Sequence, residues 1–287
     1  MGEFLQNMQA IDPVAFSIGP FVARWYGLAY LVGFVAASGL ALYFAKRWKL
    51  DFDFDKMLTV LISISIGVIV GSRIGFVLFY QPAYFLANPL QIVAFWDGGI
   101  SGMSFHGGLI GAVIAAVIAA RIIKMPALQL GDLVLIGTPI GLGFGRLANY
   151  INGELWGRVT EVNWGVVFPA AGPLARHPSQ LYEGALQGLL IFVVLLSIAL
   201  YFARKERAPA AGTIVGTFLT MYGLVRIFAE FFREPDLQLG FIAGNWLTMG
   251  MLLSTPMIIA GLFILWRAHA QGKDCDKDRG KISVSKQ

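Results

Sequence analysis

Tyr222, Arg226 and Glu230 recur every four residues, a spacing that sets a phenol, a guanidinium and a carboxylate along one face of a helix. An arginine with a carboxylate one turn away is held rigid while part of its fork stays open to an anion. The planar, bidentate donors of arginine suit phosphate, and Arg146 would complete such a clamp from a second helix. His106 stands in Ser104-Phe105-His106-Gly107-Gly108. Its glycines let a substrate approach the backbone closely, and a neutral imidazole accepts a proton near neutral pH. The alternative is a hydrogen-bonded structural histidine. His177 lies in Arg176-His177-Pro178-Ser179-Gln180, where the proline suits the opening of a helix. His269 falls in a polar tail and receives no role.

The elements that must position these residues are apolar. Of 287 residues, 57% are hydrophobic and 14% charged, in runs far longer than a soluble core helix needs. Hydrocarbon offers no water to the backbone, so only helices or closed barrels cross it, and these runs lack a barrel strand's alternation. About 20 apolar residues cross a core of roughly 30 Å. Seven runs reach that scale: Phe21 to Phe44, Met57 to Tyr80, Met103 to Ile123, Leu130 to Leu147, Pro178 to Phe202, Ala211 to Phe232 and Asn245 to Trp266. The expected fold is all-α, a polytopic membrane protein with seven transmembrane helices. Glycines at four-residue spacing, Gly67, Gly71 and Gly75 in the second run and Gly137, Gly141 and Gly145 in the fourth, predict close helix packing through small residues.

The formal charge of +5 does not point to nucleic acid, because the basic residues sit in short loops rather than in one patch. One set of loops and the C-terminal tail hold fifteen Lys and Arg, whereas the other set holds only Arg158, Arg176 and Arg233. Basic residues stay on the cytoplasmic side, so the C-terminus is expected in the cytoplasm and, with seven spans, the N-terminus outside. Residues 1–20 then form an external segment, 21–266 one membrane domain, and 148–177 an external cap, whose Trp156 and Trp164 suggest a folded element. The tail 267–287 is polar enough to predict disorder. No basic n-region marks a leader, since Glu3 is the first charge and Arg24 the only basic residue before Lys46. The single Cys275 excludes a disulfide within the chain.

Charges inside a membrane are expensive and mark function by default. Arg24, Arg73, Arg146, Arg226, Glu183, Glu230 and His106 all fall toward the outer ends of their runs; Arg226 lies roughly 9 Å below the surface at 1.5 Å per residue. Lipid phosphodiester is the anion most abundant at that depth. Pairing between helices and snorkelling to the interface are the competing explanations, above all for Arg24 and Arg73. Asp132 alone belongs to the inner side, near the start of the fourth run, where anchoring at a helix N-terminus is expected.

Several stretches resemble the prolipoprotein diacylglyceryl transferase family: GFGRLANYINGELWG from Gly143 to Gly157, WDGGISGMSFHGGLIG from Trp96 to Gly111, RHPSQLYE from Arg176 to Glu183, YGLVRIFAEFFREPD from Tyr222 to Asp236, and FSIGP and WYGL between Asp12 and Leu28. The resemblance runs from about Asp12 to Trp266. It implies transfer of the diacylglyceryl group of phosphatidylglycerol to the lipobox cysteine of a preprolipoprotein, with release of glycerol phosphate, in the bacterial inner membrane and from the outer leaflet. It makes His106 the base and Arg146 and Arg226 the phosphate-binding residues. Tyr26, Asn149, Glu154, Gly157, Tyr222 and Glu230 are the remaining important positions, and Arg73 and Glu183 join the candidate binding set as intramembrane charges. The His motif carries Ser101 and Gly102 beyond the family's usual form, which lengthens the approach to the third helix and leaves His106 in place.

The implied chemistry calls for no metal or other cofactor, and the expected partners are phosphatidylglycerol, lipobox signal peptides and membrane lipids. A positioned tyrosine or an already ionised thiol would also serve in place of a histidine base. Two other classes compete on the residues alone. A membrane lipid transporter would place its charges near the midplane between inverted repeats, and no repeat is evident. Another phospholipid head-group enzyme would use the same arginines, and only the resemblance selects thiol alkylation.

Overall fold

The computed structural model describes residues 2–19, 21–94, 102–235, 240–244 and 246–284, the side chains of Phe21 and of 272–284 excepted. Trp96 and the residues after it through Ser101, together with Asp236 and Asn245, lie outside the described residues, as does the side chain of Cys275. Eleven helices are labelled in chain order: α1 Gly2–Met8, α2 Trp25–Arg47, α3 Phe54–Phe79, α4 Pro82–Ala87, α5 Phe105–Ile122, α6 Ala127–Leu135, α7 Thr138–Ile151, α8 Ser179–Glu183, α9 Ile191–Arg204, α10 Thr213–Glu230 and α11 Met249–Val284. Two antiparallel pairs accompany them, β1 Val14–Ile18 with β2 Phe21–Arg24, and β3 Val166–Val167 with β4 Ala175–Arg176.

Among the described residues, six helices are long and apolar enough to cross a membrane, and the pair α6 and α7 makes a seventh if it counts as one span. That pair corresponds to the fourth predicted run and is bent by 48°. Pro139 in the first turn of α7 supplies no N–H to continue the ladder from α6, so the helix restarts there. The predicted run from Pro178 is continuous as a span but carries a π-helical turn over Gly184–Leu190 between α8 and α9. The backbone of α11 stays helical past Arg267 to Val284.

The chain divides into two compact units. In the unit Asp51–Gly131, α3 and α5 pack along the predicted glycine stripe. A Cβ on Gly67 or Gly71 would collide with the backbone carbonyl of Gly111 or Gly107, so only glycine permits this approach. Asp53 caps α3 by accepting from the backbone N–H of Lys56 at 2.9 Å, and Ser104 caps α5 by accepting from Gly107.

The other unit comprises Met1–Leu50 and Asp132–Gln287. Here α2 meets α7 where Gly33 faces Gly141 and Ala37 faces Gly137, and α10 packs on α11 through Gly216, Gly223 and Gly261. Asp132 does anchor a helix N-terminus, but that of α10 rather than its own helix: it accepts from the backbone N–H of Gly212 at 2.8 Å and of Val215 at 2.9 Å. Gly212 has no side chain with which to cap α10, and the remote carboxylate takes over that function.

Between α7 and α8 the long connection folds around Tyr150, Val166 and Phe168, all fully buried, with Leu5, Met8, Trp156, Ala171 and Leu181 packed against them. Helix α1, which hydrophobic runs do not reveal, closes this small core. The Gln6 amide bonds both the N–H and the carbonyl of Val167, and Tyr150 Oη donates to the Leu5 carbonyl at 2.7 Å.

Candidate active site

Glu183 is the hub of the site. It ends α8 with its carboxylate 2% exposed. Arg146 Nε of α7 lies 2.7 Å from its Oε2, Arg226 Nη1 of α10 donates to Oε1 at 2.9 Å, and Arg233 Nη1 stands 3.7 Å from the same oxygen. Arg226 also pairs with Glu230, one turn on as the spacing predicts. The far oxygen of Glu230 accepts from Thr248 Oγ1 at 3.0 Å, and Gly250 lets the start of α11 approach, since a Cβ there would strike the Glu230 carboxylate. Buried charges persist when paired and hydrogen-bonded. With Glu230 also paired to Arg226, three guanidiniums face two carboxylates, an excess of one positive charge that suits the cluster to a further anion.

The two predicted phosphate ligands are held differently. Arg226 gives Nη1 to Glu183 and Nη2 to Glu230, so the open part of its fork is smaller than the sequence spacing alone suggests. Arg146 is bound along its other edge. Its Nε and Nη2 both donate to Oε1 of Gln187 at 3.4 Å, and Glu183 Oε2 makes the shorter, charged contact with the same Nε at 2.7 Å. Among those residues Nη1 of Arg146 makes no hydrogen bond, which leaves the terminal edge of this fork for bidentate contact.

Arg146 and Gln187 meet because α7 and the π-helical turn touch at glycines. A Cβ on Gly188 would overlap the Gly143 backbone, whereas one on Gly184 would make ordinary contact, 3.5 Å from the Arg146 Cβ. Single π turns recur at functional sites.

Residues around this cluster are braced by the connection after α7. Asn149 and Asn152 donate to Glu154 Oε1 at 2.9 and 3.1 Å, and the Glu154 carbonyl accepts from Gln180 at 2.7 Å. Gly157 is buried between the carbonyls of His177 and Phe232, which any Cβ would strike; its N–H bonds the His177 carbonyl, and it bridges Arg233. Arg158 donates to the carbonyls of Arg233 and Glu230 and so ties the end of α10 to this connection. Tyr26 and Tyr30 share a hydroxyl contact at 2.9 Å with their rings edge to face. Tyr222 stacks on Phe218. His177 packs on Tyr182 and Phe232 with Nδ1 3.2 Å from the Tyr182 hydroxyl, and burial pushes its imidazole below its ordinary range.

His106 and Arg73 belong to the unit Asp51–Gly131. His106 is exposed in the first turn of α5, its ring edge-on to Phe105. Arg73 is buried and directs its donors to backbone: Nε to Ile92 at 2.8 Å, Nη2 to Gln91 at 2.6 Å and Nη1 to Gly102 at 3.3 Å, over the Phe85 ring. Those contacts describe a staple for the connection that follows α3.

Three residues of the site do not stand out in the sequence: Gln187, Thr248 and Arg233. Gln187 leaves a signal, as a polar residue one turn after Glu183 inside an apolar run. Arg233 counts there among loop charges, because its place beyond the end of α10 hides its return to Glu183.

Residues 13–267 match the family described as Prolipoprotein diacylglyceryl transferase. A protein of Agrobacterium fabrum named phosphatidylglycerol–prolipoprotein diacylglyceryl transferase is 48% identical over 273 residues, 92% of this chain and 94% of its own length. Proteins of the same name from Allorhizobium ampelinum and Brucella canis are 49% and 48% identical, covering 92% and 91% of this chain and 92% of each relative. With the match spanning every element that carries the arginine cluster, the chain belongs to the prolipoprotein diacylglyceryl transferase family.

Proposed function

We propose that this protein transfers the diacylglyceryl group of phosphatidylglycerol to the lipobox cysteine thiol of preprolipoproteins, the first step of bacterial lipoprotein maturation. The observation that carries the reading is the buried arginine cluster on Glu183, with the terminal edge of Arg146 uncommitted among the described residues, in a chain of this family. In the reaction the cysteine sulfur attacks the glycerol carbon that bears the phosphate. The carbon–sulfur bond forms as the carbon–oxygen bond breaks, and its electron pair leaves on the phosphate oxygen of glycerol phosphate. Arg146, with Arg226 and Arg233 behind it, stabilises the charge that grows there.

The thiol must lose its proton, since a free cysteine with a pKa of ~8.5 is mostly protonated at neutral pH. His106 accepts that proton in this reading; it stands exposed at the start of α5, which Ser104 caps. Tyr26, Asn149, Glu154, Tyr222 and Glu230 complete the surroundings of the lipid, Gly157 shapes the backbone beside them, and Arg73 steadies the connection after α3. The charge distribution supports an inner-membrane protein with its N-terminus outside, residues 148–177 as an external cap, a cytoplasmic tail from 267 and a site facing the outer leaflet.

The test is to incubate purified protein in detergent with phosphatidylglycerol and a lipobox peptide. A diacylglyceryl mass gain on the cysteine peptide, absent from its Cys→Ser version, is expected. Turnover of the lipid without gain on the peptide would replace this reading with head-group chemistry.

A further inference from the structure

We propose that Gln187 is a positioning residue for the transfer: its side-chain carbonyl holds one edge of Arg146 so that the other meets the departing phosphate. This role rests on the reading of Arg146 as a phosphate ligand. Gln187 is fully buried in the π-helical turn, and Oε1 accepts from both Nε and Nη2 of Arg146. Its Nε2 has no hydrogen-bond partner among the described residues. A buried amide donor left unpaired is costly, so the useful half of this side chain is the acceptor.

Glu183 alone does not direct the fork. Its Oε2 meets the fork at one atom, 2.7 Å from Arg146 Nε, a single contact about which the guanidinium can still turn. Charge from Glu183 keeps the guanidinium in place, and the Gln187 carbonyl fixes its rotation. A bidentate contact depends on rotation more than on distance, because both N–H bonds must align with two oxygens. A carboxylate at 187 would preserve the acceptor, and the adjacent guanidinium of Arg146 would receive its charge.

The experiment compares Gln187→Leu, Gln187→Met and Gln187→Glu in the purified full chain, with phosphatidylglycerol, a lipobox peptide and added glycerol phosphate as inhibitor. For Leu and Met, kcat is expected to fall about tenfold, the equivalent of about 1.4 kcal/mol in the transition state. The inhibition constant of glycerol phosphate rises by a similar factor, and the KM for peptide stays unchanged. Gln187→Glu recovers both quantities. Two apolar variants guard against one that does not fold.

Full activity in a folded Leu or Met variant would overturn the proposal. So would a fall in kcat with glycerol phosphate inhibition unmoved, which describes a merely structural glutamine, or a Glu variant as impaired as Leu. A wild-type protein that releases no glycerol phosphate would instead remove the function on which the role of Gln187 rests.

Discussion

Glu183→Gln is the substitution whose effect follows most directly from the geometry. It keeps the side chain's shape and removes the charge that two arginines share at 2.7 and 2.9 Å. At an effective dielectric of about 20, each pair at ~4 Å between charge centres contributes about 4 kcal/mol of attraction, set against the desolvation of a carboxylate only 2% exposed. Removing one partner of a buried pair costs about 3–5 kcal/mol, because the other charge stays buried without compensation. The amide makes this worse, since its nitrogen presents donors to guanidiniums that have only donors. If about 3 kcal/mol of that loss is expressed in the transition state, turnover falls roughly a hundredfold at about 1.36 kcal/mol per decade. Initial rates of glycerol phosphate release, with thermal unfolding of the same detergent preparation, would measure both consequences. A folded Glu183→Gln protein within about threefold of wild type, less than ~1 kcal/mol, would refute the assignment of Glu183 as hub.

His106→Gln should fall to background in the same assay while remaining folded, and substantial turnover would remove His106 from the role of base. Gly157→Ala should impair folding rather than chemistry, because its Cβ meets the backbone carbonyls of His177 and Phe232; a cost of about 1–3 kcal/mol is expected from such overpacking, read as lost thermal stability. His177 is held below its ordinary value of 6.5 by burial, so the unfolded chain binds its proton more readily. The stability it contributes is present above about pH 6.5 and is lost as pH falls from there through the folded value. Thermal unfolding from about pH 7.5 to about pH 5.5, a range that brackets the ordinary histidine value, should show a slope that His177→Gln lacks.

Six of the spans are legible in the sequence because an apolar run of membrane length has few alternatives, and the glycine stripe of α3 marks its packing face without naming α5 as the partner. The fourth run holds its bend in plain view at Gly137 and Pro139, although hydropathy alone reads through such a break. At the site, Arg146, Arg226, Glu183 and Glu230 are legible as residue types too expensive to bury without purpose. Their connectivity is not, because Arg226 meets Glu183 from 43 positions away and Arg146 meets Gln187 from 41, separations for which periodicity carries no signal. The π-helical turn and α1 escape for a related reason. The first is a local change of hydrogen-bond register inside an apolar run, and the second is a helix of only 7 residues stabilised by the core it closes.

Whether the fork of Arg146 meets the departing phosphate is tested most directly by a sulfur substitution at that group. Phosphatidylglycerol with one non-bridging phosphate oxygen replaced by sulfur offers a poorer hydrogen-bond acceptor to the guanidinium. Transfer to the lipobox peptide by the wild-type protein should slow by about tenfold, or ~1.4 kcal/mol, for one diastereomer. The same comparison in Arg146→Lys, whose ammonium has no planar fork, should show a much smaller ratio. An equal sulfur effect in both proteins would contradict a bidentate contact from Arg146.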